Sequence, residues 1–397
     1  MSARFPFSRR LPESLAPNAI ARAVADLRAA GAALLDLTET NPTAVGLAYP
    51  ADLLDPLASA DALRYRPDPR GLASAREAIA AEIARDGAGA GADRILLTAS
   101  TSDAYALLFK LLCDPGDAVL VPQPSYPLFD WLTRLEGVPA RPYRLEYHGR
   151  WSIDRASVAE ALTPSTRALL VVSPNNPTGS MLRRADLDWL IELCASRAIA
   201  LIGDEVFAGY PLAPRPDAAS MAAAGDTPAL TVSLGGLSKS AGLPQVKLGW
   251  MIVQGPAALR DAALARLEVI ADAYLSVSTP VQIAAPALLA RGRTIRAAIA
   301  ARVAGNLAAL RARLAAWPAV TLREPEGGWS AVLEVPRTSS EEALVVRLLH
   351  EARVMIHPGH FFDFPGEAFL VMSLLPDPAV FRAAVDRLLP IAAGAPS

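Results

Sequence analysis

Ser238-Lys239-Ser240 lies downstream of Asp204-Glu205-Val206-Phe207 and of Ser173-Pro174-Asn175-Asn176-Pro177-Thr178-Gly179. Three chemistries are available in that order. The lysine amine can condense with an aldehyde to give a Schiff base. The aspartate can pair with a protonated ring nitrogen. The asparagine amide can donate a hydrogen bond to a ring hydroxyl oxygen. Pyridoxal 5'-phosphate presents all three partners, so Lys239, Asp204 and Asn176 together fit a site for that cofactor. Each fragment alone has a plainer use. Asn-Pro-Thr-Gly is a good turn, Ser-Lys-Ser suits a solvated loop, and Asp204 could cap a strand end. The order and spacing of all three favour the cofactor.

A phosphate needs its own anchor. Leu96-Leu97-Thr98-Ala99-Ser100-Thr101-Ser102-Asp103-Ala104-Tyr105 reads as a strand, a small-residue turn and a helix start. Hydroxyls and free N–H groups at such a turn bind anions, and they also cap helices. Both uses fit Ser100, Thr101 and Ser102. Further on, Pro124-Ser125-Tyr126-Pro127 puts an aromatic ring at the next strand-to-helix crossing, where Tyr126 could stack on a pyridine.

These segments fall between apolar runs that alternate in type, which predicts a mostly parallel sheet with helices on both faces. Strands are expected at 94–98, 118–122, 167–173, 198–203, 229–234 and 248–253, with helices at 101–113, 126–136, 183–196 and 256–271. The Ala/Arg/Leu-rich run 291–316 predicts a long connecting helix. Beyond it, strands at 319–323, 330–336, 354–357 and 368–374 and helices at 340–351 and 377–392 predict a smaller α+β unit. The expected division is 1–49 as an N-terminal segment packing with the small domain, 50–290 as the large domain and 291–397 as the small one.

The chain has 397 residues, 52% of them hydrophobic and 20% charged, ample for a large core. A net charge of -2 implies no nucleic-acid partner, so phosphate recognition must be local. Two cysteines, Cys113 and Cys194, fit a reducing compartment. The N-terminus has no apolar run of the secretory kind, and no segment reaches the ~18 apolar residues of a membrane span. A cytoplasmic protein is expected. Asp86-Gly87-Ala88-Gly89-Ala90-Gly91 follows a helix and precedes a strand, the wrong context for a dinucleotide loop. His357 and His360 are spaced by three within a His-Pro-Gly-His turn, so no metal site is expected there.

From about Asp36 to Leu389 the chain resembles the class I/II aminotransferases of pyridoxal phosphate fold type I. That resemblance implies a large domain with a mostly parallel seven-stranded sheet, a small domain built from the two chain ends, and a homodimer. It assigns the phosphate turn to Ser100, Thr101 and Ser102, and the stacking ring to Tyr126. Asn176 and Asp204 become ring partners, and Ser238 and Lys239 the Ser-Lys motif. Tyr65 matches a tyrosine that reaches the neighbouring subunit's phosphate, and 276–279 a second stretch used across that interface. Gly327-Gly328-Trp329 matches the entry to the small domain.

Four positions depart from the family pattern. Ser100 stands for a glycine. Phe207 stands for the tyrosine that hydrogen-bonds the ring hydroxyl, leaving Asn176 as the matched donor. Lys247, eight residues after Lys239, stands for a phosphate-clamping arginine; it keeps the charge and loses the fork. Val371, two residues before Ser373, stands for the arginine that grips the substrate carboxylate. Either another donor takes over, with Asn41 and His360 the nearest candidates, or the amino donor lacks an ordinary α-carboxylate.

The resemblance implies transfer of an amino group from an amino acid to a 2-oxo acid through Lys239. A carbon–sulfur β-lyase and a non-catalytic binding protein would share every cofactor residue, and only the substrate side separates the three. A base at Lys239 should have its pKa lowered by burial and by Lys247.

Overall fold

The computed structural model describes residues 7–12, 14–87, 89–275 and 277–394. Ser276, Ala88 and the first six residues therefore lie outside the described residues, and with them part of the 276–279 stretch, of the Gly/Ala loop and of the N-terminal reading.

The chain opens with α1 (Ala19–Ala29), whose N-cap Asn18 accepts from Ala21 N, then β1 (Leu35–Asp36) and α2 (Ala73–Arg85). There follow β2 (Ile95–Thr98), α3 (Thr101–Leu112), β3 (Ala118–Gln123), α4 (Leu128–Glu136), β4 (Ala140–Tyr147), β5 (Trp151–Ile153), α5 (Arg155–Ala161), β6 (Thr166–Val172), α6 (Arg184–Arg197), β7 (Ala200–Asp204), β8 (Thr231–Gly236), α7 (Leu237–Ser240), β9 (Gly249–Gln254) and α8 (Ala257–Tyr274). A single 36-residue helix, α9 (Thr279–Leu314), leads to β10 (Thr321–Arg323), β11 (Ser330–Glu334), α10 (Glu341–Arg347), β12 (Val354–Met355), β13 (His357–Pro358), β14 (Phe369–Ser373) and α11 (Pro378–Ala392).

The large sheet has eight strands in the order β2-β9-β8-β7-β6-β3-β4-β5. The eighth, beyond the seven expected, is β5, which folds back antiparallel on the end of β4. Strands β8, β7, β6, β3 and β4 run parallel, and β9 is antiparallel to both its neighbours. Every residue of β7 and β8 is buried, as expected for strands with helices on both faces. Because β2 runs in the same sense as β8, the C-terminal ends of β2, β3, β6, β7 and β8 share one edge. The N-terminal end of β9 meets them there. In open α/β sheets that edge is where ligands bind.

The second sheet, in the order β10-β11-β14-β13, is antiparallel throughout. One face carries Leu333, Leu370 and Met372 into the core shared with α9 and α11. The other carries Val332 and Val371 into a cluster with Leu169, Val171 and Tyr143 of the large sheet. The N-terminal segment joins this unit: β1 pairs with β12, and Ser373 N donates to Leu37 O. The expected boundary at 290/291 falls inside α9.

Candidate active site

Asp204 ends β7, 8% exposed. Its Oδ1 accepts from Val206 N at 3.2 Å and its Oδ2 from the Tyr105 hydroxyl at 3.2 Å. Burial pushes its carboxyl up to about 6, with those two donors and Lys239 pulling the other way. Its neighbour Glu205 points to the opposite side of the strand, where four donors saturate it: Met221 N, Ala222 N, and the hydroxyls of Ser220 and Ser233. Of the two acids, Asp204 is the one left without a close cation or a full donor set.

Lys239 lies in the one-turn α7 directly after β8. Its Nζ sits 5.6 Å from the Phe207 ring centroid and 4.9 Å from that of Trp329. It has no hydrogen-bond partner among the described residues. Burial lowers its pKa, and the charge of Asp204 opposes that. Lys247 is not among the causes, contrary to expectation. The Lys239 carbonyl accepts from the Tyr210 hydroxyl at 2.5 Å, which pins the turn. Phe207 and Tyr210 both meet Trp329 edge-on, at 5.2 and 5.1 Å between centroids. The expected Phe207 therefore serves as an apolar wall beside the amine.

Asn176 comes from the loop after β6. Its Oδ1 accepts from the Ser330 hydroxyl of β11 at 3.2 Å, which leaves the amide NH2 free to donate. The adjoining Asn175 is buried and donates to Pro124 O at 3.1 Å and to Thr178 Oγ1 at 2.9 Å. This ties the Asn176 loop to the one bearing Tyr126. The charge of Asp204 adds to burial in raising the Tyr126 pKa, which puts that phenol within reach of the same carboxylate.

Ser100 caps α3 by accepting from Asp103 N at 3.1 Å, and Asp103 Oδ2 accepts from Ala99 N at 3.0 Å. The N–H groups of Thr101 and Ser102 find no acceptor among the described residues, as an anion site requires. Thr98 pairs with Gly249 across β2 and β9, so Lys247, two residues before Gly249, emerges beside Ser100. A Cβ at Gly249 would lie 2.9 Å from Ser100 C, so this close crossing admits only glycine. Lys247 itself is exposed and bonds to none of these groups. Ser238, in α7, has no partner for its hydroxyl among the described residues.

Other expected residues lie apart. Tyr65 is 71% exposed. Asn41 is exposed, and its Oδ1 is occupied by Thr43 N at 3.0 Å and the Thr43 hydroxyl at 2.7 Å. His360 is exposed, and its ring Nδ1 and backbone N are both held by Glu341, at 3.1 and 2.8 Å. Val371 is 2% exposed within β14 and offers no polar group. Tyr105 is the addition that motif reading did not single out.

The family model for class I and II aminotransferases matches residues 33–388. An alanine aminotransferase of Mycobacterium tuberculosis is 28% identical over 92% of this chain and 86% of its own length. A glutamate–pyruvate aminotransferase of Escherichia coli is 27% identical over 84% of each. Among solved structures, an alanine aminotransferase from Pyrococcus furiosus superposes with a TM-score of 0.85 at 25% identity, covering 96% of this chain and 98% of that one. These likenesses favour amino transfer over the lyase and the non-catalytic alternatives.

Proposed function

The chain belongs to the class I and II aminotransferases, a family that works with pyridoxal phosphate, and we propose that it exchanges the amino group of a small amino acid such as alanine or glutamate with a 2-oxo acid. The observation that carries this reading is Lys239 Nζ, unpartnered between the Phe207 and Trp329 rings and within the field of Asp204. The named relatives support the choice of donor.

The residues fit the cofactor on their own chemistry. A buried carboxylate short of donors and with a raised pKa suits a protonated pyridine nitrogen, and Asp204 is that group. Free N–H groups at Thr101 and Ser102, the cap at Ser100 and the ammonium of Lys247 suit a phosphate. Tyr126 would cover one ring face, and the Asn176 amide would donate to the ring hydroxyl. Lys239 would hold the aldehyde carbon covalently. When bound, the cofactor supplies an electron sink for the pair left at the substrate Cα.

With the cofactor bound, Lys239 Nζ would take the donor's Cα proton and deliver it to the carbon it had held, and on the acceptor half it would carry a proton in the opposite sense. Its lowered pKa leaves a larger neutral fraction near neutrality than an exposed lysine has. The Tyr210 hydroxyl fixes the backbone from which that amine swings. Phe207 and Trp329 flank the amine with apolar rings. Ser330 orients Asn176, so the small sheet and the cofactor pocket are completed together.

Exposed Tyr65 would reach a second copy's phosphate pocket, which makes the working unit a homodimer. Two free thiols, Cys113 and Cys194, support a cytoplasmic setting. We retain the division into 1–49, 50–290 and 291–397, with α9 shared across the last boundary.

Purified protein supplied with pyridoxal phosphate, L-alanine and 2-oxoglutarate should form pyruvate and glutamate in equal amounts. Pyruvate with free ammonia, from a sulfur amino acid alone, would instead establish the lyase. Binding of the cofactor with no conversion of any amino acid would overturn the proposal.

A further inference from the structure

Ser330 reaches Asn176, so the face of the small sheet that bears Ser330 is turned toward the pocket. Two residues on, Val332 lies on that same face. Val332 pairs with Val371, and Val371 with His357. At the opposite end of the row Val332 pairs with Arg323. Directly opposed residues of antiparallel strands share a face with Cβ atoms about 5 Å apart. One row thus crosses all four strands: Arg323, Val332, Val371, His357.

Its two ends differ. Arg323 is committed: its guanidinium is paired with Glu334 and lies 4.5 Å over the Tyr147 ring. The His357 ring has no hydrogen-bond partner among the described residues. Its half-buried ring rests against Phe361 and Phe362, at 5.9 and 5.7 Å between centroids. Phe362 O in turn accepts from Ser125 N at 3.0 Å, next to Tyr126. The imidazole thus lies against the turn that is hydrogen-bonded to the loop carrying the stacking ring. Asp36 of β1 is the charge that acts on it. His360, three residues on, faces outward to Glu341.

We propose that His357 donates the hydrogen bond that receives the carboxylate of the amino-acid substrate, in the place left apolar by Val371. The proposal rests on the amino-transfer reading above. A single imidazole N–H gives one bond where a guanidinium gives two. Recognition here would then be weaker and less selective for carboxylates than a forked clamp allows.

The test compares the holoenzyme with His357→Phe, which keeps a ring, and His357→Gln, which keeps a donor. A hydrogen bond to a charged group contributes ~1.5–3 kcal/mol, so KM for L-alanine should rise about 10- to 100-fold in the Phe variant. Its kcat should change less, and the Gln variant should recover part of the loss. Conversion of a simple alkylamine should be unaffected. Independently of turnover, histidine ring NMR signals should shift at His357 when unreactive propionate is added, and not when propanol is. Equal KM changes for amine and amino acid, or no propionate shift at His357, would overturn the proposal while leaving amino transfer intact. Absence of amino transfer in the wild-type enzyme would overturn both. Near-UV circular dichroism identifies an unfolded variant, and the wild-type NMR titration then decides alone.

Discussion

The Tyr105 hydroxyl, on the first helix after the phosphate turn, donates to Asp204 Oδ2 at 3.2 Å across the buried end of β7. Tyr105 is 2% exposed and packed edge-on against Phe129 at 5.2 Å between centroids, so its hydroxyl has one fixed direction. The bond helps keep Asp204 ionised against the pull of burial. Tyr105→Phe should therefore weaken retention of pyridoxal phosphate roughly tenfold, for ~1.5 kcal/mol lost at a charged acceptor. Fluorescence titration of the cofactor measures it, and unchanged affinity would rule out this role.

Asp204→Asn should separate stability from function. The wild-type carboxyl, raised from 3.8 to about 6, binds its proton more tightly folded than unfolded. Its ionisation then lowers the stability of the cofactor-free protein as pH climbs from about 4 to about 6, and the loss is complete above that. A shift of this size corresponds to about 3 kcal/mol. The Asn variant should melt higher than wild type at pH 7, with the gap closing toward pH 4, yet it should lose nearly all transfer activity. Parallel melting curves for the two proteins across this range would contradict the assignment.

Borohydride treatment of the holoenzyme should fix the cofactor irreversibly to the peptide containing Lys239, as peptide mass spectrometry would read. In Lys239→Ala no such adduct forms, and turnover should fall at least ~10²-fold, the scale of a lost general base. Full turnover in the variant would remove Lys239 from the chemistry.

Gly179 joins the Asn176 loop to the small sheet: its carbonyl accepts from Glu326 N at 3.0 Å and Gly327 N at 2.9 Å. Its φ is +68°, and a Cβ would lie 2.5 Å from Pro325 Cβ and 2.7 Å from Gly327 O. Gly179→Ala should cost ~2–4 kcal/mol through strain and overlap, measured by urea unfolding. A cost under about 0.5 kcal/mol would mean that the junction relaxes freely.

Light scattering should give twice the 41.8 kDa chain mass. Tyr65→Phe should keep that mass and loosen cofactor binding several-fold, for one hydrogen bond to phosphate. A fully active monomer would exclude the shared-pocket arrangement.

Lys239, Asp204 and Asn176 were legible because each sits at or just beyond the C-terminal end of a parallel strand, in a short run whose residue order is set by the chemistry. The distant partners were not. Tyr105 reads as one more apolar position of α3, and only the packing of α3 across β9 and β8 brings it to Asp204. His357 reads as half of a turn, and its neighbour Val371 is fourteen positions away through a strand pairing. Strand β4 escaped notice because its exposed positions are Arg141, Pro142, Arg144 and Glu146, an edge-strand pattern with no apolar run. The long helix was expected to begin at 291, yet α9 starts at Thr279 and carries Pro286 and Gly292 within it, two residues of low helix propensity. Packing overrides them: Ala284, Ala285, Leu288, Leu289 and Gly292 form one buried stripe of α9.

That stripe crosses the lysine turn at a point. A Cβ on Gly292 would lie 2.4 Å from Ala241 Cβ, two residues after Lys239. Backbone meets backbone there with nothing to cushion the contact, so the crossing is a fulcrum. From it α9 extends to Leu314, about 33 Å away at helical rise, and hands over to the small sheet. Because Ala241 is two residues from Lys239, the seating of the rod at Gly292 fixes the depth of the lysine turn. The same glycine sets the gearing: a bulkier residue would lift the rod from its bearing and displace the lysine itself.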